Sequence, residues 1–265
     1  MGILNATPDS FSGDGLGTDR DALVALAHRQ LAEGAAILDI GGESTRPGAV
    51  PVGIPAELAR AIPLVEALHR VRIPISIDTS HAAVAEAALR AGAVIVNDVS
   101  GLADPELPRV AAMHGAWLVV THNGWTRKDE GTGDVVERVS TVLAELVADA
   151  IRAGVALDRV IVDPGIGFGK TTAESLTLVR RLGELRERFP RNRLLVGPSR
   201  KRFIGEILGL DLGHRLEGTL AITALAVAAG ADVVRVHDVG PAVRAARMAR
   251  AVVAETGSVQ RTSLR

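Results

Sequence analysis

Cysteine is missing from this chain of 265 residues, and its absence excludes disulfide bonds, thiolate metal ligands and a cysteine nucleophile. A surplus of either charge is missing too, because 30 lysine and arginine residues stand against 31 aspartate and glutamate residues. With a net charge of −1, the chain has no basic field that could hold a polyanion. We therefore expect no nucleic-acid partner.

Long hydrophobic runs are also lacking. The uncharged stretch at 218–231 is rich in alanine and falls short of the roughly 20 apolar residues that cross a bilayer. No secretory signal is visible, and Ala6 stands where N-myristoylation requires serine or threonine. The composition, 47% hydrophobic and 23% charged, is that of a globular domain and excludes a disordered chain. We expect a cytoplasmic protein with no membrane partner.

Lysine is scarce, since only Lys128, Lys170 and Lys201 occur beside 27 arginines. Lys170 and Lys201 both lie in loops that follow predicted strands. In a chain that otherwise uses arginine, a lysine there indicates a need for a point charge or a titratable amine. Chance retention in an arginine-rich sequence is the alternative.

Short β-branched runs alternate with amphipathic stretches, which is the pattern of βαβ units around a parallel sheet. Eight runs predict strands at 2–4, 36–40, 73–77, 94–96, 117–121, 160–162, 194–196 and 233–236. The chain has about 33 residues per strand, enough for one strand, one helix and two loops. We predict an α/β fold, a single-domain (β/α)8 TIM barrel over residues 1–256, with a C-terminal tail at 257–265. An open, doubly wound sheet is the alternative.

Polar side chains collect where the predicted strands end. Asp78, Asn97 and Asp163 each follow a strand directly, and the carboxyl ends of barrel strands carry the active site. Together the three suit a ring with several N–H donors and acceptors, such as a pterin or purine. Each alone could instead cap the next helix, as aspartate and asparagine often do after a strand.

Two basic residues stand at the end of the last predicted strand. Arg235 and His237 flank a valine, so their side chains share one face. The loop after the eighth strand of such barrels is a frequent phosphate site, and arginine offers phosphate a bidentate fork. A packed structural histidine at 237 is the alternative. Asn5 offers a carbonyl oxygen beside this site, which suits Mg²⁺ because that ion takes few protein ligands.

Seven stretches of the sequence resemble the dihydropteroate synthases, a family of pterin-binding enzymes in the folate pathway. They occur in family order over nearly the whole chain, at 2–12, 41–48, 77–79, 97–100, 163–170, 199–202 and 235–238. Any one of them is a weak signal. Seven in the family's order are highly specific.

The resemblance implies a transferase that condenses 6-hydroxymethyl-7,8-dihydropterin diphosphate with 4-aminobenzoate, giving 7,8-dihydropteroate and pyrophosphate. It further implies an SN1-like mechanism in which Mg²⁺ assists the departure of pyrophosphate. Susceptibility to sulfonamides follows from an aminobenzoate pocket, and a homodimer is typical of the family.

The resemblance also implies a role for each matched position. The pterin would be held by Asp78, Asn97, Asp163, Lys201 and Gly197. The diphosphate would be held by Asn5, Thr45, Arg46, Arg235 and His237, with Asn5 acting as the Mg²⁺ ligand. The aminobenzoate would be surrounded by Phe11, Pro47, Phe168, Ser199 and Arg200. The catalytic set would be Asp163, Lys201, Arg235, His237 and Asp14.

The chain departs from the family pattern in two loops. The usual Ser-Asp-Gly-Gly of the first loop reads Ser-Gly-Asp-Gly at residues 12–15, which moves Asp14 by one position, and Thr121 replaces a methionine before His122. Two other functions stay open. A pterin-binding methyltransferase serving a corrinoid protein would not need the stretches at 45–47 and 199–201. A non-catalytic relative is favoured only by the altered loops.

Overall fold

The computed structural model describes residues 1–7, 19–43, 52–126 and 133–254. Its strands are β1 (Gly2–Asn5), β2 (Leu38–Gly41), β3 (Ile75–Asp78), β4 (Ile95–Asp98), β5 (Trp117–Thr121), β6 (Val160–Asp163), β7 (Arg193–Val196) and β8 (Val233–Val234). Its α-helices are α1 (Arg20–Ala32), α2 (Ile54–Leu68), α3 (Ala82–Arg90), α4 (Leu107–Met113), α5 (Val135–Arg152), α6 (Thr172–Arg180), α7 (Leu182–Arg188), α8 (Arg202–Leu208), α9 (Leu216–Ala228) and α10 (Val239–Val253). None of these described helices has both the length and the apolar character needed to cross a membrane.

The eight strands lie in one parallel sheet, in which each strand pairs with the next along the chain. This order excludes the doubly wound alternative, whose strand order reverses at a switch point. The outer edges are joined as well, because Ile3 N donates to Val236 O at 3.1 Å and Val236 N donates to Met1 O at 3.0 Å. The predicted α/β class and the eight parallel strands are confirmed.

Strand residues alternate between two apolar layers. Fully buried side chains such as Leu38, Ile77 and Leu118 belong to one large core that also contains helix residues. A second, smaller cluster consists of Ile95, Val119, Ile161 and Leu195, which come from four neighbouring strands. Because successive strand residues point to opposite faces, the first layer lies between sheet and helices and the second lies on the inner face.

Three of the predicted site residues belong to the strands themselves and not to the loops that follow. Asn5, Asp78 and Asp163 are the last residues of β1, β3 and β6, one position inside the ladder. Asp78 pairs with Asn97 in the register of β3 and β4. The ladder therefore fixes these polar side chains at the carboxyl edge of the sheet.

Candidate active site

A buried polar network joins four strands at the carboxyl edge of the sheet. Arg235 follows β8 and donates from Nε to Asp39 Oδ2 and from Nη2 to Asp78 Oδ2, each at 2.6 Å. Asn97 donates from Nδ2 to the same Asp39 oxygen at 3.0 Å. The structure thus brings together Asp78, Asn97 and Arg235, which the sequence analysis assigned to one site.

Several buried acceptors around this network are left for a ligand. Asp39 Oδ1 and Asp78 Oδ1 receive no hydrogen bond from any described residue, and the same holds for Thr121 Oγ1 at the end of β5. A buried acceptor without a donor costs free energy that a bound N–H group would recover. The inner face of the sheet therefore offers acceptors to a ligand that carries N–H donors.

Burial shapes the protonation of these groups. Burial raises the pKa of Asp78 to about 7, although the Arg235 guanidinium opposes this rise. Burial also raises the pKa of Asp163, against the Gly165 backbone N–H and the charges of Lys201, Lys170 and Arg235. The charge of Arg235 therefore acts on both aspartates.

Asp163, Phe168 and Lys201 lie on the other side of the same edge. Asp163 Oδ1 accepts a hydrogen bond from Gly165 N at 2.8 Å. The Lys201 ammonium lies 3.7 Å from the centre of the Phe168 ring, a cation–π contact. Gly167 has a φ of +82°, and a Cβ on it would lie 3.3 Å from Lys201 Cδ, so the loop backbone approaches the lysine stem closely.

Lys170 is a structural lysine at the centre of the loop after β6. Its ammonium is buried and donates to the carbonyl oxygens of Gly165 at 2.9 Å and Phe168 at 3.1 Å. It also contacts His122 Nδ1 at 2.9 Å. These contacts with carbonyl groups hold the loop that carries Phe168.

Ser199, Arg200 and His237 meet where β7 and β8 end. Ser199 Oγ lies 2.9 Å from His237 Nδ1 and accepts a hydrogen bond from His237 N at 3.2 Å. Arg200 forms a two-pronged ion pair with Asp238, with Nη2–Oδ1 at 2.9 Å and Nε–Oδ2 at 3.2 Å. Arg200 also adopts a left-handed backbone, with φ of 56°. The predicted aminobenzoate contact therefore has an internal carboxylate partner.

Asn5 and Gly197 border the same edge. Asn5 pairs with Gly41 in the β1–β2 register, and its Oδ1 lies 3.8 Å from the position that a Cβ on Gly41 would occupy. A Cβ on Gly197 would have no heavy atom within 4 Å, so open space lies beside that residue. The predicted residues Phe11, Asp14, Thr45, Arg46 and Pro47 lie outside the described residues.

The capping alternative for the three acidic and amide residues is wrong. The N-caps of α3, α4 and α6 are His81, Glu106 and Thr171, so Asp78, Asn97 and Asp163 cap none of the helices that follow them. Their side chains instead make hydrogen bonds with Arg235, Asp39 and Gly165.

Sequence reasoning missed Asp39, which is fully buried and holds Arg235 in place. A signal for it was present, because a carboxylate stands between Leu38 and Ile40 in an otherwise apolar strand. Charged residues are almost never fully buried unless they are paired. Asp39 therefore required a cationic partner, and Arg235 is that partner.

Comparison with known proteins agrees with this geometry. A family model described as pterin binding enzyme matches residues 1–237. The dihydropteroate synthase of Synechocystis sp. is 47% identical over 247 residues, covering 90% of this chain and 84% of that protein. The chain belongs to the pterin-binding enzyme family and, within it, to the dihydropteroate synthases, which are transferases. The predicted family and enzyme class are confirmed.

The inactive dihydropteroate synthase 2 of Mycobacterium leprae is also a relative, 43% identical over 254 residues, covering 90% of this chain and 85% of that protein.

Solved structures show the same fold. The dihydropteroate synthase of Clostridium difficile, solved in the presence of pteroic acid, has a TM-score of 0.88 and 40% identity, with 95% of both chains covered. The Xanthomonas albilineans enzyme with 4-aminobenzoic acid has a TM-score of 0.88 and 42% identity, covering 96% of this chain and 92% of that one. The Yersinia pestis enzyme with a sulfonamide drug has a TM-score of 0.89 and 38% identity, covering 95% and 93%.

Proposed function

We propose that this protein is an active dihydropteroate synthase. It would condense 6-hydroxymethyl-7,8-dihydropterin diphosphate with 4-aminobenzoate and release 7,8-dihydropteroate and pyrophosphate. The observation that carries the proposal is the network of Asp39, Asp78, Asn97 and Arg235, which presents orphan acceptors beside a fixed cation. The ligands of the structural relatives, pteroic acid and 4-aminobenzoic acid, support the two substrates.

The pterin would lie on the inner face of the sheet. The unpartnered Asp78 Oδ1 and the carboxylate of Asp163 would accept the ring N–H groups, and the Asn97 side chain would complete the polar edge. The Lys201 ammonium would donate to an acceptor atom of the pterin ring. The open space beside Gly197 would leave room for that ring.

The diphosphate would bind on the β1 and β8 side of the edge. Arg235 and His237 would face its oxygens, with Thr45 and Arg46 as further predicted contacts. Arg235 carries a fixed positive charge, because the carboxylates of Asp39 and Asp78 raise its pKa despite the opposing effect of burial. A preorganised cation favours the growing charge on a leaving pyrophosphate.

The residues present fit a magnesium ion at Asn5. Its amide oxygen is a hard ligand of the kind Mg²⁺ accepts, and it lies at the strand edge near Arg235 and Asp78, where a diphosphate would supply further oxygens. When bound, the ion would offset negative charge on the departing pyrophosphate.

The aminobenzoate would lie between Phe168 and the Ser199 loop, with Phe11 and Pro47 as predicted further walls. Arg200 already pairs with Asp238, so its guanidinium would bind the carboxylate of the aminobenzoate and that of Asp238 together. Sulfonamides, as aminobenzoate analogues, would compete for this pocket, in line with the drug-bound Yersinia pestis relative.

The reaction would follow an SN1-like course. The bond between the exocyclic carbon and the diphosphate oxygen breaks, and the bonding electrons leave with pyrophosphate. The resulting cation is delocalised into the pterin and is stabilised by the carboxylates of Asp78 and Asp163. The arylamine nitrogen then bonds to that carbon and loses one proton. No enzyme nucleophile takes part, which is consistent with the absence of cysteine. Asp14, Lys201 and His237 complete the proposed catalytic set.

A direct assay tests the proposal. Purified protein with pterin diphosphate, aminobenzoate and Mg²⁺ should form dihydropteroate and pyrophosphate in equal amounts. Asp163→Asn should weaken pterin binding measured by calorimetry, and Arg235→Ala should chiefly weaken binding of the diphosphate. Glu184→Gln changes a half-buried carboxylate on α7 that pairs with Arg181, and as the control it should change neither affinity. Unchanged pterin affinity in Asp163→Asn would remove that residue from the site.

A non-catalytic, pterin-binding role is the second candidate. It is favoured by the similarity to the inactive Mycobacterium leprae relative and by the altered loop at residues 12–15. Binding of pterin without any product in the same assay would favour this second role over the first.

The proposed architecture is a complete single-domain (β/α)8 barrel over residues 1–256. The hydrogen bonds between Met1, Ile3 and Val236 and the parallel bridge between Gly2 and Val236 support closure of the sheet.

The proposed assembly is a homodimer built on α9 and α10. These helices expose Leu225, Met248, Val252 and Val253, each more than half exposed, and an apolar groove lies between them. Contiguous apolar surface of this kind marks interaction sites. Light scattering should give a dimer, and Met248→Glu should give monomers.

A further inference from the structure

Three side chains of types that can ligate a metal lie together beside the candidate active site, close enough for the charge of Glu57 to act on Asp78. Glu43 follows β2 by two positions, Glu57 lies in the first turn of α2, and His81 is the N-cap of α3. None of the proposed substrate contacts involves these residues. We refer to them as the Glu43–Glu57–His81 cluster.

The cluster has the spacing of a metal site. His81 Nδ1 lies 2.7 Å from Glu57 Oε2 and 3.9 Å from Glu43 Oε2, and one ligand atom from each residue lies within 4.8 Å of the others. A tetrahedral Zn²⁺ ion with bonds of about 2.0 Å holds its ligand atoms about 3.3 Å apart. One observed separation is shorter than that value and the other is longer. Small side-chain movements would therefore bring the three ligand atoms to the distances that a zinc ion requires.

Glu57 gives an independent observation that favours a cation ligand. Its side chain is fully buried, and its Oε1 accepts no hydrogen bond from any described residue. In the described part of the chain, the His81 ring is the only basic group within ion-pair distance of this carboxylate. A buried carboxylate with an unused oxygen is costly unless it is paired or binds a metal. Coordination by a cation would satisfy the oxygen that receives no hydrogen bond from the described residues.

The donor set indicates which metals would bind. One imidazole nitrogen with two carboxylates suits zinc and related transition metals, whereas Mg²⁺ prefers oxygen ligands alone. The side chains of His81 and Glu43 are 31% and 17% exposed, so the cluster is open to solvent on one side. An ion could enter there, and water could complete its coordination.

We propose that Glu43, Glu57 and His81 bind one Zn²⁺ ion. The ion would join α2 and the start of α3 to the end of β2. Glu43 Oε1 already accepts a hydrogen bond from Val52 N at 3.2 Å, so the metal would also fix the position of residue 52. The site is separate from the magnesium proposed at Asn5 and does not depend on the proposed reaction.

Cobalt is a suitable probe, because tetrahedral Co²⁺ absorbs visible light and replaces zinc in such sites. Full-length protein freed of metal with a chelator should bind one equivalent of Co²⁺ with a visible absorption band. Zn²⁺ should displace it, and excess Mg²⁺ should not. His81→Ala should abolish the band and weaken Zn²⁺ binding by ~100-fold or more.

Two further variants and one control complete the test. Glu57→Gln keeps the shape of the buried side chain and removes its charge. Glu43→Gln changes a more accessible position, so it reports on the site even if the Glu57 variant does not fold. His214→Ala removes a histidine that pairs with Asp211 on the exposed surface and should bind cobalt as the parent does. Absence of the band in the parent, or equal affinity in His81→Ala and the parent, would overturn the proposal and leave a simple His81–Glu57 ion pair.

Discussion

The two faces of the same eight strands differ in the residue types that they carry. Residues toward the helices, such as Leu38 and Leu118, are apolar and fully buried in one continuous core. Residues toward the inside are apolar only in part, and at the carboxyl edge they are Asp78, Asn97 and Asp163. Alternation along a strand thus separates the residues that stabilise the fold from those available for binding.

This comparison predicts that charge removal on the inner face is the most damaging single change. Arg235→Ala would leave Asp39 and Asp78 buried without their cation, and breaking a buried pair in this way costs about 3–5 kcal/mol. Urea unfolding should show that loss. Arg235→Lys keeps the charge but not the two hydrogen bonds of the guanidinium. Its free energy of unfolding should lie between those of the parent and of Arg235→Ala. A loss as small as that of a surface substitution would mean that the network is well solvated.

A cavity on the helix-facing side should affect stability alone. Leu118→Ala removes a fully buried side chain of β5 and should lower the free energy of unfolding by about 3 kcal/mol. At a temperature where the variant is folded, its KM for both substrates should equal that of the parent. A changed KM would show that the two faces are not independent.

The inner face should also make stability depend on pH. Burial raises the pKa of Asp78 to about 7, so the folded state holds a proton that the unfolded state has released. Stability from this group is full below the unfolded pKa near 4 and is lost as the pH rises through 7. Because the asparagine of Asp78→Asn would not titrate, the difference in unfolding free energy between this variant and the parent should shift in favour of the variant as the pH rises from about 4 to about 7, by at most about 1.4 kcal/mol per pH unit. Urea unfolding of both proteins at pH 5 and at pH 8 measures this difference. The same difference at both pH values would contradict the raised pKa of Asp78.

The smallest effect is expected on the outer surface of the helices. Arg188 and Glu137 form an exposed ion pair between α7 and α5, and exposed pairs contribute little to stability. Arg188→Ala should leave the unfolding midpoint and the kinetics within measurement error of the parent. A clear loss of stability would show that this pair belongs to a stronger network.

The positions of hydrophobic runs and of the polar residues that follow them made much of the candidate site predictable. Hydrophobic runs located the strands, and the rule that barrel chemistry lies at strand ends identified Asp78, Asn97 and Asp163 before any coordinates. The pairing of Arg200 with Asp238 was not predictable, because it depends on a left-handed backbone at a residue other than glycine. The Glu43–Glu57–His81 cluster was not predictable either, since it requires the relative placement of two helices and a loop.

The join between the first and eighth strands links residues from opposite ends of the chain, as in the bond from Met1 N to Val234 O across 233 positions. Contacts of such separation demand the largest loop closure and come late in folding. A single parallel bridge, between Gly2 and Val236, joins β1 to the segment after β8, so this join has the shortest ladder. Amide protons of Ile3 and Val236 should exchange with deuterium before those of β4 to β6, and the sheet should open first between β1 and β8.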